Sequence, residues 1–378
     1  MKPLKVLYIF SFFLALQVAV TTYVNSSFLL QFIKEKNVGL IFSLGAFLGI
    51  FILMILPKIV MRLGNFRLNN LILFLMLISL VGLFLAKSAA SGIGWFIVYI
   101  IANIMIVFSR DIFIEKYARE ESTGRTRGIF LTFVNFGFLL SPLIAGLAAE
   151  KSFNNVYLLA LLFLLPAFFI IRPFKQFHDP HYKPPVLKEV FRKFREDISV
   201  FKIYLINFIL QFFYVWMVVF MPIYLNRHIG FDFKEIGIIF TIMLLPFVII
   251  QFPIGRWADK IGEKEILTVG IIICGLATLA VPWIQSANLL LWAFVLFMTR
   301  VGAATIEAMT EIYFFKKVEA KDSEMISFFR NTAPVAAVLA PVIASIILGF
   351  SSFQMLFAIL GLIVLAALYL NENILDTN

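Results

Sequence analysis

Charged side chains are scarce in this chain: Asp, Glu, Lys and Arg make up only 14% of its 378 residues. Soluble globular domains carry about a quarter, so a water-soluble fold is excluded. There is one cysteine, Cys274, within an apolar stretch, which rules out an internal disulfide framework. Of three histidines, His178 and His181 form an H-x-x-H pair in a proline-rich stretch with no cysteine nearby, and His228 stands alone. That is too few ligands for a zinc site of defined geometry, and no metal or other cofactor is expected. No G-x-x-x-x-G-K-[ST] loop occurs, which argues against direct drive by a nucleotide. No Ser/His/Asp set can be assembled on one side of a membrane, so no catalytic residue is assigned and the chain does not read as an enzyme.

What is abundant is apolar surface. Hydrophobic residues make up 62% of the chain, with 45 phenylalanines, and the mean hydropathy is +0.97. A bilayer-spanning helix needs roughly 20 apolar residues, because the hydrocarbon core is about 30 Å thick. Twelve apolar segments bounded by charge fit that length. Six lie at Val6–Phe32, Val38–Pro57, Asn69–Ala86, Ile93–Ile114, Gly128–Ala149 and Val156–Ile171. Six more lie at Ile203–Leu225, Ile236–Ile254, Ile266–Ala287, Leu289–Phe315, Ile326–Phe350 and Phe353–Leu370. Backbone N–H and C=O groups find no water in lipid, so each segment must be helical. The expected fold is an all-α membrane protein of twelve transmembrane helices in two six-helix bundles.

The net charge of +10 fits basic loops held on one membrane face better than a nucleic-acid partner. With the N-terminus inside, 23 Lys and Arg fall on the cytoplasmic side and six on the other, with Arg110, Arg300 and Arg330 inside spans. Both termini are therefore expected in the cytoplasm. The N-terminus (Met1, Lys2, Lys5, then apolar residues) reads as the first span, since its apolar run is too long for a signal peptide and no cleavage site comes after it. Residues 173–199 form the longest polar stretch and separate an N-terminal bundle (1–172) from a C-terminal one (200–378). Within that linker, Leu187, Val190, Phe191 and Phe194 lie on one helical face with Lys188, Arg192, Lys193 and Arg195 opposite. This is the pattern of a helix lying on a membrane surface.

The two halves repeat. Pro57-Lys-Ile-Val-Met-Arg-Leu-Gly64 joins spans 2 and 3, and Gly255-Arg-Trp-Ala-Asp-Lys-Ile-Gly262 joins spans 8 and 9 at an offset of 198. Gly137-x-x-x-Ser141-Pro142-Leu-Ile-Ala145-Gly146 in span 5 matches Ala336-x-x-x-Ala340-Pro341-Val-Ile-Ala344-Ser345 in span 11 at an offset of 199. Two unrelated features at nearly one offset indicate a duplicated six-helix unit.

These motifs resemble those of the major facilitator superfamily, over essentially the whole chain. The family's loop signature G-x-x-x-D-[RK]-x-G-[RK]-[RK] fits the second copy through Gly255, Asp259, Lys260, Gly262 and Lys264, with Glu263 replacing a basic residue. The first copy keeps Arg62, Gly64 and Arg67 but has Pro57 and Met61 where the family has glycine and aspartate. The resemblance implies that these loops latch the cytoplasmic helix ends. An acid closing span 4 often pairs with the first loop in this family, and Glu115 fits that place beside Arg110 and Asp111. Gly137, Ser141, Pro142, Ala145 and Gly146 resemble the antiporter signature, which tilts the reading toward efflux. Small residues that merely allow close helix packing are the competing explanation.

Ionisable groups at membrane depth need a reason, since each costs about 2.5–3.5 kcal/mol to insert. Arg300, Glu307 and Glu311 in span 10 are spaced by seven and four, which places them on one helical face. Arg300 and Glu307 read either as part of a substrate or proton pathway or as a structural pair. Glu311 lies at a depth where Arg330 of span 11 can meet it. Gln17, Thr21 and Asn25 in span 1, and Asn207, Gln211 and Tyr214 in span 7, form polar stripes. Spans 1, 4, 7 and 10 line the cavity in the resembled family, so both stripes and Asn103 are candidate substrate contacts. Hydrogen bonding between helices is the alternative. The resemblance implies a monomeric secondary transporter in the plasma (inner) membrane, working by alternating access. Its partners are the lipid bilayer, a small organic substrate and protons as the coupling ion. Efflux of an amphipathic compound is the first expectation, uptake of a sugar or small polar metabolite the second, and a non-transporting sensor or scaffold the third.

Overall fold

A computed structural model describes residues 3–117, 123–177, 197–250, 254, 262–318, 323–372 and 374. Among these the chain is helical throughout, with no strand. Eleven of the helices are long and apolar enough to cross a bilayer. Large apolar side chains face outward along them, with Phe51, Met54, Phe74 and Phe169 all more than half exposed. An outward apolar surface of this extent suits lipid and not water, and the chain is a multi-pass membrane protein.

The helices divide into two compact units, Met1–Tyr182 with Asp232–Ile238, and Lys183–Phe231 with Ile239–Asn378. The first unit holds α1 (Pro3–Thr22), α2 (Asn25–Leu29), α3 (Glu35–Leu63), α4 (Asn65–Phe84), α5 (Ala89–Tyr117), α6 (Thr123–Lys151) and α7 (Phe153–Ile170). In it α1 packs on α5, α6 and α7, and α4 lies against α5 and α7. The second unit holds α8 (Ile198–Ile223), the second half of α9 (Phe233–Leu244, whose first half belongs to the first unit), α10 (Pro246–Ile249), α11 (Glu263–Ala280), α12 (Leu289–Lys317), α13 (Ser323–Arg330), α14 (Thr332–Phe350) and α15 (Phe353–Glu372). Here α8 packs on α12, α14 and α15, and α11 lies against α12 and α15. The same packing scheme therefore occurs in each unit, with α8 in the place of α1 and α11 in the place of α4.

Several expected spans are interrupted. Val6–Phe32 divides at Tyr23 and Val24, where the hydroxyls of both Thr21 and Thr22 donate to the Val18 carbonyl. Threonine side chains that bond back one turn bend a helix. The eighth span breaks at Leu245, just before Pro246, whose ring and missing N–H disfavour a continuous helix. The eleventh breaks at Asn331, three residues before Pro334. By contrast, α3 runs through Pro57 to Leu63, so the segment expected as a loop is largely helical. Its turn is made by Gly64 alone, at φ 79° and ψ 148°, and Gly262 before α11 adopts nearly the same backbone at φ 101° and ψ 155°.

Candidate functional site

In the first unit the polar stripe of α1 is tied to its neighbours. Gln17 Nε2 donates to the Tyr99 hydroxyl of α5 at 2.6 Å, and Thr21 Oγ1 lies 2.8 Å from the same oxygen. Asn103 Nδ2 donates to the Tyr99 carbonyl one turn back at 2.8 Å. Tyr157 of α7 donates to Asn25 Oδ1 at 3.1 Å. Gln17, Thr21, Tyr99 and Tyr157 are buried. The structure thus brings Gln17, Thr21 and Asn103 together around a tyrosine that the sequence pattern does not single out, with Asn25 held separately. Two acceptors stay open, Gln17 Oε1 and Asn103 Oδ1, which have no hydrogen-bond partner among the described residues.

In the second unit, α8, α12, α13 and the start of α14 enclose a cleft of about 80 Å³, room for several waters. Asn207, Gln211, Glu307, Glu311, Arg330 and Thr332 line it, with Phe329 and Ala333. Tyr214, one turn along α8 from Gln211, donates to Glu307 Oε2 at 2.9 Å. Asn207 Nδ2 donates to Thr332 Oγ1 at 2.9 Å. Arg330 Nη1 donates to Glu311 Oε1 at 2.6 Å, with both side chains partly exposed. The stripe of α8 and the carboxylates of α12 therefore meet in one place.

Arg300 differs from the other charges. It is 1% exposed, and its Nε and Nη1 make no hydrogen bond among the described residues. Its guanidinium carbon stands 5.1 Å from the ring centre of Phe213 and 5.4 Å from that of Tyr214. Cation–π contacts contribute up to about 2 kcal/mol each when desolvated, against a penalty of several kcal/mol for a buried ion. The aromatic pair offsets part of that penalty and leaves N–H donors open.

The motif residues occupy helix ends and close contacts. Gly137 lies against the α1 backbone at Ala15 and Leu16, where an added Cβ would stand 3.2 Å from Leu16 N. Gly146 and the Pro142 carbonyl press against Gly237 of α9, so neither glycine has space for a side chain. Arg62 is exposed on the last turn of α3, before Gly64. Immediately after Gly262, the buried Glu263 pairs with Lys316 at the end of α12 at 2.5 Å. In the sequence Glu263 is only a departure from the loop signature, and nothing there points to Lys316. At the equivalent place in the first unit, Asn65 Nδ2 donates to the Ser109 carbonyl of α5 at 2.9 Å, and Ser109 Oγ donates to Asn65 Oδ1 at 2.9 Å. Arg110 pairs with the neighbouring Asp111 at 3.2 Å. Gly255, Asp259, Lys260, His178, His181, the amphipathic stretch 187–196 and the side chain of Glu115 lie outside the described residues. No cluster of three or more metal-ligating side chains occurs among the described ones.

Comparison with known proteins places this architecture. Residues 203–373 match the model of the Major Facilitator Superfamily. The multi-drug resistance efflux pump PmrA homolog of Lactococcus lactis is 23% identical over 254 residues, which cover 64% of this chain and 61% of that relative. The match thus spans about three fifths of the relative's length. The crystal structure of the nucleoside transporter NupG superposes with a TM-score of 0.75 at 11% identity, covering 99% of this chain and 100% of that one. The human organic anion transporter TETRAN does so with a TM-score of 0.68 at 14% identity, covering 97% and 98%.

Proposed function

We propose that this chain is a member of the major facilitator superfamily, whose model matches its second half, and a proton-coupled secondary transporter that exports a small organic molecule by alternating access. The observation that carries the reading is the hydrogen bond from Tyr214 to Glu307 beside the polar cleft of the second unit. A carboxylate at membrane depth needs a reason, and a protonatable acid touching a cleft supplies one. Glu307 takes up and releases the coupling proton, while Tyr214 orients the carboxyl. Asn207 and Gln211 offer amide groups to the substrate from the same wall. The efflux pump relative supports the outward direction. The basic-loop asymmetry supports a membrane protein with both termini in the cytoplasm.

The test is flux in proteoliposomes under an imposed pH gradient. Glu307→Gln should abolish gradient-driven transport while leaving substrate exchange without a gradient intact. If the variant responds to the gradient as the wild type does, the proton assignment is wrong.

A further inference from the structure

An arginine cannot shed its charge in a protein, and each guanidinium presents five N–H donors in a rigid plane. Arg300 has that plane buried against two adjoining aromatic rings, with Nε and Nη1 open and no acid within ion-pair distance among the described residues. The nearest acid along its own helix face, Glu307, lies two turns away and is held by Tyr214. Folding alone gains nothing from such a group: a methionine of similar length would fill the space without an unpaired ion. An anion arriving from outside the chain would complete it. Tyr214 links the two charges, since its ring flanks Arg300 and its hydroxyl binds Glu307.

We propose that Arg300 is the recognition group for an organic anion, a small acid whose carboxylate pairs with its guanidinium and whose apolar body rests on Phe213 and Tyr214. This rests on the transporter reading and narrows its substrate class. The planar fork of arginine suits a two-oxygen anion, and the flanking rings suit a flat organic body. The same Tyr214 that contacts the acid's pairing group also holds the proton-carrying carboxyl, so substrate and proton occupy adjoining positions on one helix face.

The experiment is thermal unfolding of the purified full-length protein in detergent. The probes are benzoate and nicotinate, with benzamide and nicotinamide as uncharged counterparts at equal concentration. A ligand that binds only the folded state raises the melting temperature. The acids should raise it for the wild type, and the amides should not. In Arg300→Met the acid response should vanish while the unliganded protein melts above the wild type. Arg300→Lys, which keeps the charge but loses the fork, should bind the acids about tenfold more weakly; it decides the matter if Arg300→Met does not fold. Equal shifts by acids and amides, no shift by either, an acid shift that survives Arg300→Met, or a folded Arg300→Met that melts below the wild type would each overturn the proposal. Flux assays separate this from the transporter reading. Acid binding through Arg300 without any flux sinks the transporter reading alone, and flux of uncharged compounds without acid binding sinks the anion site alone.

Discussion

Tyr99→Phe removes a single oxygen from the joint between α1 and α5 and leaves the ring in place. That oxygen accepts from Gln17 at 2.6 Å and pairs with Thr21 at 2.8 Å, in a site where all three side chains are no more than 2% exposed. Hydrogen bonds between membrane helices average about 0.6 kcal/mol and reach about 1.7 kcal/mol, so losing two removes about 1–3 kcal/mol. The Gln17 amide is then left with neither end satisfied, because its Oε1 already lacks a partner among the described residues. A stranded buried donor adds about 1–3 kcal/mol. The expected loss is therefore about 2–6 kcal/mol in SDS-induced unfolding, with a double-mutant cycle against Thr21→Val showing coupling of about 0.6 kcal/mol or more. A loss below about 0.5 kcal/mol would mean that water replaces the hydroxyl at once. The cluster would then be a wet, ligand-facing surface, and its reading as a joint between the two helices would fail.

Two further outcomes rest on the helix junctions. Gly262→Ala should destabilise by about 1–3 kcal/mol, since φ 101° with ψ 155° is a region almost exclusive to glycine; a neutral result in thermal unfolding would contradict that backbone. Lys316→Met should destabilise by removing the ammonium that pairs with the buried Glu263 carboxylate, by about 1–3 kcal/mol after allowing for the one-third exposure of the lysine. Adding Glu263→Gln should recover part of the loss, and a purely additive double variant would show that the pair is not coupled.

The spans are legible in the sequence because a lipid environment forces apolar length and helical backbone together. Their interruptions are less so. The break after Thr21 and Thr22 coincides with hydroxyls turning back to Val18, and a threonine inside an apolar run does not by itself show that it will do so. The candidate site divides in the same way. Arg300, Glu307 and Glu311 announce themselves as charges where charge is costly. Tyr99 does not, because one hydroxyl among aromatic residues gives no sign of which helix lies opposite. Glu263 and Lys316 are 53 positions apart, and each alone looks like an ordinary surface charge at a helix end. Distances between helices set those partnerships, and no periodicity along one helix encodes them.

The two glycines with matching backbones, Gly64 and Gly262, carry a consequence for how this chain has aged. Around them the copies have diverged: proline stands against glycine at 57 and 255, methionine against aspartate at 61 and 259, and asparagine against glutamate at 65 and 263. The joint after each glycine even uses different chemistry, neutral amide to serine in one unit and carboxylate to ammonium in the other. What survived is the one position where no side chain can be drawn at all. A dihedral angle admits no conservative replacement, whereas a hydrogen bond can be rebuilt from other atoms. At these two junctions the halves agree in the shape of the main chain where it turns, and not in the side chains that hold the turn in place.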